Sequence, residues 1–451
     1  MNSDPSDSTF GRKSFMKQGQ EGSQLACQAP AKSMRFSHSG NVIACCYNRG
    51  HLLGSFPKES LEQIWFGKAA VQLRQALENN NFSLGCQSCE KLIVVGNRAA
   101  SGASQYDYLN SQTQHNDFPT MLDFEIDSTC NLECVMCSGE YSSSIRKNRE
   151  HAPKYASPYN DEFVKQLEAF IPHLSEARFV GGEPFLIPLH FKIWDRMVEL
   201  NSSMVINVLT NATVLNERIK ALIDNANFKV SVSIDSLVKE TYERIRVNAN
   251  LEEVMANYRY FKAAMDEKGH VMNFNLCPMR QNWHEIPDYF RFCSDNNIQV
   301  VLHTVEFPNH CSLWNLPVQE LERILQCYET VELSGQDAVS RSNAITFQSL
   351  LEQVRDWVNA AIKAEPIAQA ETFDGLTARL AIRMKEELEE GEDGAKEFHF
   401  VSALLDEFSP GDRTKIARFL LQLPAYLLVS EIRISSKERM KERFKVIAQN
   451  E

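Results

Sequence analysis

Hydrophobic positions fall into three textures along the chain. Between residues 26 and 96, two short alternating runs (34–38 and 41–45) flank Ser39-Gly40 and predict a hairpin, and a helical period follows over 60–78. Residues 97–118 are rich in Ser, Asn and Gln and read as a linker. After Pro119, short apolar runs alternate with longer amphipathic ones. Strands are predicted at 120–127, 177–181, 205–210, 229–235, 272–278 and 299–307, with helices between them at 161–171, 189–200, 216–224, 251–267 and 283–296. Strands alternating with helices imply parallel pairing with right-handed crossovers. The fold class is α/β: a partial (β/α)6 TIM-type barrel over 119–317, whose chemistry belongs at the C-terminal ends of the strands. A small N-terminal domain spans 26–96. From 318 to 451 the pattern is helical and loses the alternation. Residues 1–25 carry few large apolar side chains and read as a disordered tail.

Charge removes some function classes. The chain has 451 residues and a formal net charge of −12, which repels phosphate backbones, so no nucleic-acid partner is expected. The basic stretch 437–445 interleaves Lys and Arg with Glu and reads as a solvated helix face. No apolar run reaches membrane-spanning length, the best (419–429) being interrupted by Gln422 and Pro424. Residues 1–23 lack a signal-peptide core. The expectation is a soluble, cytoplasmic protein without membrane contact. Thiols stay reduced in that compartment, so twelve cysteines need a reason other than disulfides.

Spacing supplies the reason. The first barrel strand runs into Cys130-Asn-Leu-Glu-Cys134-Val-Met-Cys137. Thiolates are the soft ligands of iron–sulfur clusters, and three of them leave one corner of a four-iron cluster open to another ligand. A zinc site or three buried free thiols would be the plain alternatives. The second strand ends in Gly181-Gly182-Glu183-Pro184, the third in Thr210-Asn211-Ala212, and the fourth carries Ser233-Ile-Asp235-Ser236 ahead of Arg246.

This ordered set resembles the radical S-adenosylmethionine (SAM) superfamily over about residues 119–310, with its CxxxCxxC loop after the first strand. The resemblance implies a SAM-binding 4Fe-4S cluster on Cys130, Cys134 and Cys137, whose open iron chelates SAM. One electron then yields methionine and a 5′-deoxyadenosyl radical that abstracts hydrogen from substrate. It further implies SAM contacts at Gly181, Gly182, Glu183 and Pro184 (amino group), Thr210 and Asn211 (ribose), and Ser233, Asp235 and Arg246 (carboxylate side). Met136 stands where an aromatic residue often packs near the adenine, and Ala212 stands in place of the usual glycine.

A second cysteine set precedes the barrel: Cys27, twelve residues, Gly40, four residues, Cys45, then Cys86-Gln-Ser-Cys89. It resembles the opening of the twitch and SPASM domains. That resemblance implies an auxiliary 4Fe-4S cluster on Cys27, Cys45, Cys86 and Cys89, with Cys46 the alternative to Cys45, since adjacent strand residues face opposite ways. Four thiolates would equally satisfy zinc. Cys293 and Cys327 lie in helical patterns and read as packed core thiols, and Cys277 and Cys311 also read as packing residues despite lying near strand ends. The substrate walls are expected at 279–285 and at His303, Glu306, His310 and Trp314, with Asn282 and Glu285 capping the following helix.

The reading is a radical SAM enzyme acting on a peptide, protein or sugar-like substrate, with a reducing partner such as flavodoxin or ferredoxin. The alternatives are a zinc-stabilised non-catalytic binding protein on the same barrel and a radical SAM methyltransferase.

Overall fold

The computed structural model describes residues 26–94, 96–98, 101–111, 118–333, 335–363, 372–386, 395–423, 428–429, 431–432, 435 and 437–450. The tail read from residues 1–25 lies outside them. Nine strands form one sheet: β1 (Ser33–Ser37), β2 (Asn41–Ile43), β3 (Gly54–Ser55), β4 (Met121–Glu125), β5 (Glu176–Phe179), β6 (Val205–Thr210), β7 (Phe228–Ser233), β8 (Met272–Leu276) and β9 (Ile298–Leu302). Their spatial order is β3-β2-β1-β4-β5-β6-β7-β8-β9. From β4 to β9 every neighbour is parallel, which is the six-unit barrel sheet read from the periodicity.

The N-terminal hairpin does not stand apart from the barrel. Strand β1 pairs in parallel with β4, Arg35 opposite Asp123 and Phe36 opposite Phe124, so the sheet runs without a break from one cysteine set to the other. One face of this seam is aromatic. The Phe36 and Phe124 rings lie 5.3 Å apart, and Phe124 stacks on Phe179 at 4.6 Å, under Phe163 and Trp194 of the covering helices. The opposite face carries Arg35, Asp123, Arg178 and Asn207 in one register row. Alternation in an extended strand assigns Phe and Arg to opposite sides, and the polar row lines the barrel interior.

The far edge of the sheet is also closed. Strand β9 would leave its backbone groups unpaired, a liability for any edge. The helix Ala338–Lys363 lies along it and inserts the fully buried Asn343. Its Oδ1 accepts from Val300 N at 2.8 Å, and its Nδ2 donates to the Ile298 carbonyl at 2.9 Å.

Helices Phe373–Glu386, Ala395–Leu405, Pro410–Gln422 and Lys437–Asn450 share a separate core around Leu376, Leu404, Ile416, Leu420, Met440 and Phe444. Phe307 and Trp314, beyond the end of β9, pack against it, with Trp314 6.0 Å from Phe419. Arg439 pairs with Glu140 at 3.0 Å, and Arg443 stacks over Phe307 at 5.6 Å. This unit therefore reaches the C-terminal ends of the strands, beside the loop that follows the cysteine triplet. In the stretch read as a solvated basic face, Lys437 and Lys441 hold Glu407 of the same unit, Arg439 and Arg443 make the contacts just described, and Met440 and Phe444 are buried.

Several elements differ from the sequence reading. The segment read as a linker contains a 3-10 helix, Gly102–Ser111, whose Tyr106 and Leu109 are buried against Cys45 and Met121. Two apolar anchors among polar neighbours hold it without any periodic pattern. The helix read over 60–78 is two, Leu61–Trp65 and Lys68–Glu78, parted at Gly67, whose added Cβ would lie 2.3 Å from the Gln63 carbonyl. Strand β9 stops at Leu302, leaving His303 to Phe307 as loop.

Candidate active site and auxiliary cysteine site

The cysteine loop begins where β4 ends. Three neighbouring strand ends are drawn onto it by their own hydrogen bonds. Gly181 and Gly182 have φ of +79° and +49°, and a Cβ on Gly182 would sit 2.3 Å from the Thr129 carbonyl. Only glycine fits that approach. Glu183 N then donates to Thr129 O at 2.7 Å, tying the β5 end to the cysteine loop. His190, fully buried and not singled out by the sequence, places its Nδ1 3.2 Å from the Pro184 carbonyl.

Glu183 is committed to the chain itself. Its carboxylate accepts from Asn211 N at 2.7 Å, Thr210 Oγ1 at 2.8 Å and Phe185 N at 3.1 Å. Burial pushes its carboxyl up to about 7, against these three donors, which favour the charge. The residue braces the β5 end against the β6 end. Asn211 continues the chain of contacts. Its Nδ2 donates to Asn131 Oδ1 at 3.1 Å and lies 3.9 Å from Cys130 Sγ. Ala212 holds φ +55°, the left-handed region, which is the physical reason a glycine suits that position.

Arg246 is buried beside Cys134, its Nη1 4.0 Å from the sulfur. Its Nη2 stands 2.8 Å from Asp235 Oδ2, close enough for an ion pair but off the hydrogen-bond direction, and Arg246 Nε has no partner. Burial opposes the guanidinium charge, and Asp235 with Cys134 outweighs that and raises its pKa. Asp235 is fixed in turn by the Cys277 N–H at 2.8 Å. Asp235 thus orients Arg246 and does not itself open onto the site. Ser233 is half-buried at the end of β7.

Met136 packs with Ile245, Met279, Val305 and Cys311, and Cys277 joins the same cluster. Cys277 and Cys311 are thus packed, and they also wall the cysteine loop. Cys293 lies in the main core and Cys327 packs against it. Asn282 is not a helix cap. Its Oδ1 accepts from Met279 N at 2.8 Å and its Nδ2 donates to the carbonyls of Asp235 (2.8 Å) and Cys277 (3.0 Å), while Glu285 receives the Ser236 hydroxyl. Backbone groups of two strand ends compete for the amide and win over the helix terminus.

Further residues face the lumen. His303 and Glu306 keep accessible surface although protein surrounds them; burial lowers the His303 pKa and raises that of Glu306. His303 Nε2 lies 2.9 Å from Asn275 Oδ1. Arg49, from the N-terminal domain, donates from Nε to the Cys46 carbonyl at 3.2 Å; burial opposes its charge, and the charges of Tyr141, Glu125 and Glu431 outweigh that and raise its pKa.

In the N-terminal domain, Cys27, Cys45, Cys86 and Cys89 line one cavity, with Pro30, Ala44, Leu77 and Phe82 among its apolar walls. Cys46 does not line it and stands instead against Arg35, Asp123 and Arg49. Between the two residues left open by the sequence, this places Cys45 with the other three thiols. Burial pushes the Cys27 and Cys130 thiols up to about 11 and Cys86 to about 12. Without a metal these thiols hold their protons; coordination removes them. Among the described residues, no three Cys, His, Asp or Glu side chains close to the spacing of ligands on a single ion. Ligands at different corners of a cluster stand further apart than four ligands of one tetrahedral ion.

Both halves of this geometry have counterparts in known families. Residues 125–293 match the model of the Radical SAM superfamily, and residues 27–90 match SPASM, an iron-sulfur cluster-binding domain. The barrel thus carries a radical SAM domain, with a SPASM iron–sulfur domain ahead of it. GTP 3′,8-cyclase of Listeria monocytogenes is 28% identical over 174 residues, 38% of this chain and 49% of that protein. Probable GTP 3′,8-cyclase of Methanocaldococcus jannaschii is 26% identical over 186 residues, 41% and 58% of the two chains. The chain spans about half the length of the first of these curated relatives. Among solved structures, native anSMEcpe with bound AdoMet is 19% identical with a TM-score of 0.34, covering 46% of this chain and 60% of that one. Streptococcus suis SuiB bound to S-adenosylmethionine is 15% identical with a TM-score of 0.35, covering 56% and 60%. Among the described residues no helix is long and apolar enough to cross a membrane.

Proposed function

We propose that this chain is a radical SAM enzyme whose Cys130, Cys134 and Cys137 hold a 4Fe-4S cluster and whose Cys27, Cys45, Cys86 and Cys89 hold a second. When bound at Cys130, Cys134 and Cys137, the first cluster would supply the electron for reductive cleavage of SAM and so initiate hydrogen abstraction from a substrate in the lumen. The carrying observation is the buried, unpartnered Arg246 Nε beside Cys134. An orphaned guanidinium donor is costly unless a ligand satisfies it, and a planar fork suits a carboxylate. Asp235 keeps that fork in place, Glu183 and Asn211 hold the β5 and β6 ends against the cysteine loop, and the glycines keep its approach open.

The substrate stands in the space faced by His303, Glu306, Arg49 and Ser233, under the C-terminal helices. That substrate is a peptide, a protein side chain or a sugar-like molecule. GTP belongs beside them, since the curated relatives carry that name, but their partial overlap does not transfer it.

The test is 5′-deoxyadenosine formation from SAM under dithionite, comparing wild type with Cys130→Ala, Cys134→Ala and Cys137→Ala, each with and without GTP. Cleavage in wild type that disappears in all three variants supports the reading. Cleavage that persists in any of them, or no cleavage by iron-loaded wild type, overturns it.

A further inference from the structure

The N-terminal cysteine site has a feature that the ligand set does not require. Asn48 follows the Cys45 segment by three residues and is 2% exposed. Its side chain crosses to the other cysteine segment. Nδ2 donates to the Leu84 carbonyl at 2.8 Å and lies 3.2 Å from Cys86 Sγ as donor. Oδ1 accepts from His51 N at 3.1 Å. The His51 donor fixes which end of the amide is oxygen, so the nitrogen must face the sulfur. The loop is shaped to admit this amide: Gly85 holds φ +81°, and a Cβ there would lie 2.2 Å from Asn48 Oδ1. The contact is closer than the nitrogen–sulfur approaches at the other cysteine set, 3.9 Å for Asn211 to Cys130 and 4.0 Å for Arg246 to Cys134.

The surroundings make such a bond matter. The walls around the four thiols are largely apolar, and a low-dielectric pocket disfavours the extra negative charge that reduction adds. An N–H aimed at a ligating sulfur stabilises that charge. Hydrogen bonds to sulfur are one of the levers that set the potentials of iron–sulfur centres.

We propose that Asn48 is a positioning residue of the N-terminal iron–sulfur site: its N–H···S bond to Cys86 raises that cluster's reduction potential above what the apolar pocket alone would set, so that the cluster accepts electrons more readily. This rests on the ligand set assigned above. It gives the two centres separately adjustable potentials, one held by Asn48 and one not.

The test uses the full chain, reconstituted without oxygen. Redox titration followed by electron paramagnetic resonance gives the midpoint of each cluster in wild type, Asn48→Ala and Asn48→Asp. The N-terminal midpoint is expected to fall by about tenfold in the reduction equilibrium, ~59 mV for one electron, with the other midpoint unmoved. A purely structural role would leave the potential where it is. Two intact clusters with unmoved midpoints in both variants overturn the proposal. Should either variant lose the cluster, wild-type protein grown with 15N-asparagine decides. A hyperfine coupling from the Asn48 amide nitrogen to the reduced N-terminal cluster supports the bond, and its absence overturns it. A wild-type count of only one cluster's iron, with zinc in the second site, overturns the ligand assignment together with this proposal.

Discussion

Replacing Glu183 with Gln is expected to change how stability depends on pH, with a sign the structure dictates. The carboxyl titrates near 7 in the folded chain because burial opposes its charge. Its unfolded value is the ordinary one, about 4.3. The folded state therefore binds this proton more tightly than the unfolded state. The stabilisation is complete below about pH 4 and is lost as pH rises through 7. Between those limits the difference corresponds to roughly 4 kcal/mol in all, about 3 kcal/mol of it between pH 5 and pH 8. The Gln variant carries no such titration. It also places an NH2 against one of the donors from Asn211, Thr210 or Phe185, and leaving one such donor unsatisfied costs about 1–3 kcal/mol. Wild type should be the more stable protein at pH 5, and the gap should narrow by about 3 kcal/mol or invert by pH 8. The assay is denaturant unfolding of the metal-free chain at several pH values, with salt held constant. Parallel pH profiles for the two proteins would mean that Glu183 titrates alike folded and unfolded, and would rule this dependence out.

The cysteine assignment separates two neighbours: Cys45→Ser should remove about half the iron, whereas Cys46→Ser should keep both clusters, as measured by iron and sulfide content. Arg246→Lys replaces a buried fork by a point charge and should weaken SAM binding by about tenfold or more, the ~1.5–3 kcal/mol of a charge-assisted hydrogen bond; the spectral change of the reduced cluster on adding SAM measures it. Asn282→Ala leaves the Met279 N–H and the carbonyls of Asp235 and Cys277 without this partner and should cost about 3 kcal/mol, read as a lowered unfolding midpoint.

Periodicity made the barrel legible. Six apolar runs with helices between them became β4 to β9, because parallel strands buried on one face must repeat that texture. The cysteine triplet and the strand-end elements could be read for the same reason: they occupy fixed points of the repeat. Side-chain partnership could not be read. Glu183 reads as a carboxylate facing a ligand, and that it also accepts from Thr210, Asn211 and Phe185 is set only when the folded loops bring them together. Asn282 reads as a cap because it precedes a helix, yet two strand ends claim its amide. The joining of β1 to β4 was equally hidden, since residues 88 apart, Arg35 and Asp123, meet only once the hairpin adds to the sheet. His190 and Asn343 carry no motif at all. Their signal, a polar residue on the buried face of an amphipathic helix, is too common to single them out.

The most direct measurement is iron, acid-labile sulfide and zinc per chain after anaerobic reconstitution, taken with SAM cleavage under dithionite on the same sample. A two-cluster radical SAM enzyme gives about eight irons with matching sulfide, little zinc and release of 5′-deoxyadenosine. Zinc in place of iron with no cleavage would contradict it, and would leave a metal-stabilised barrel that binds without radical chemistry.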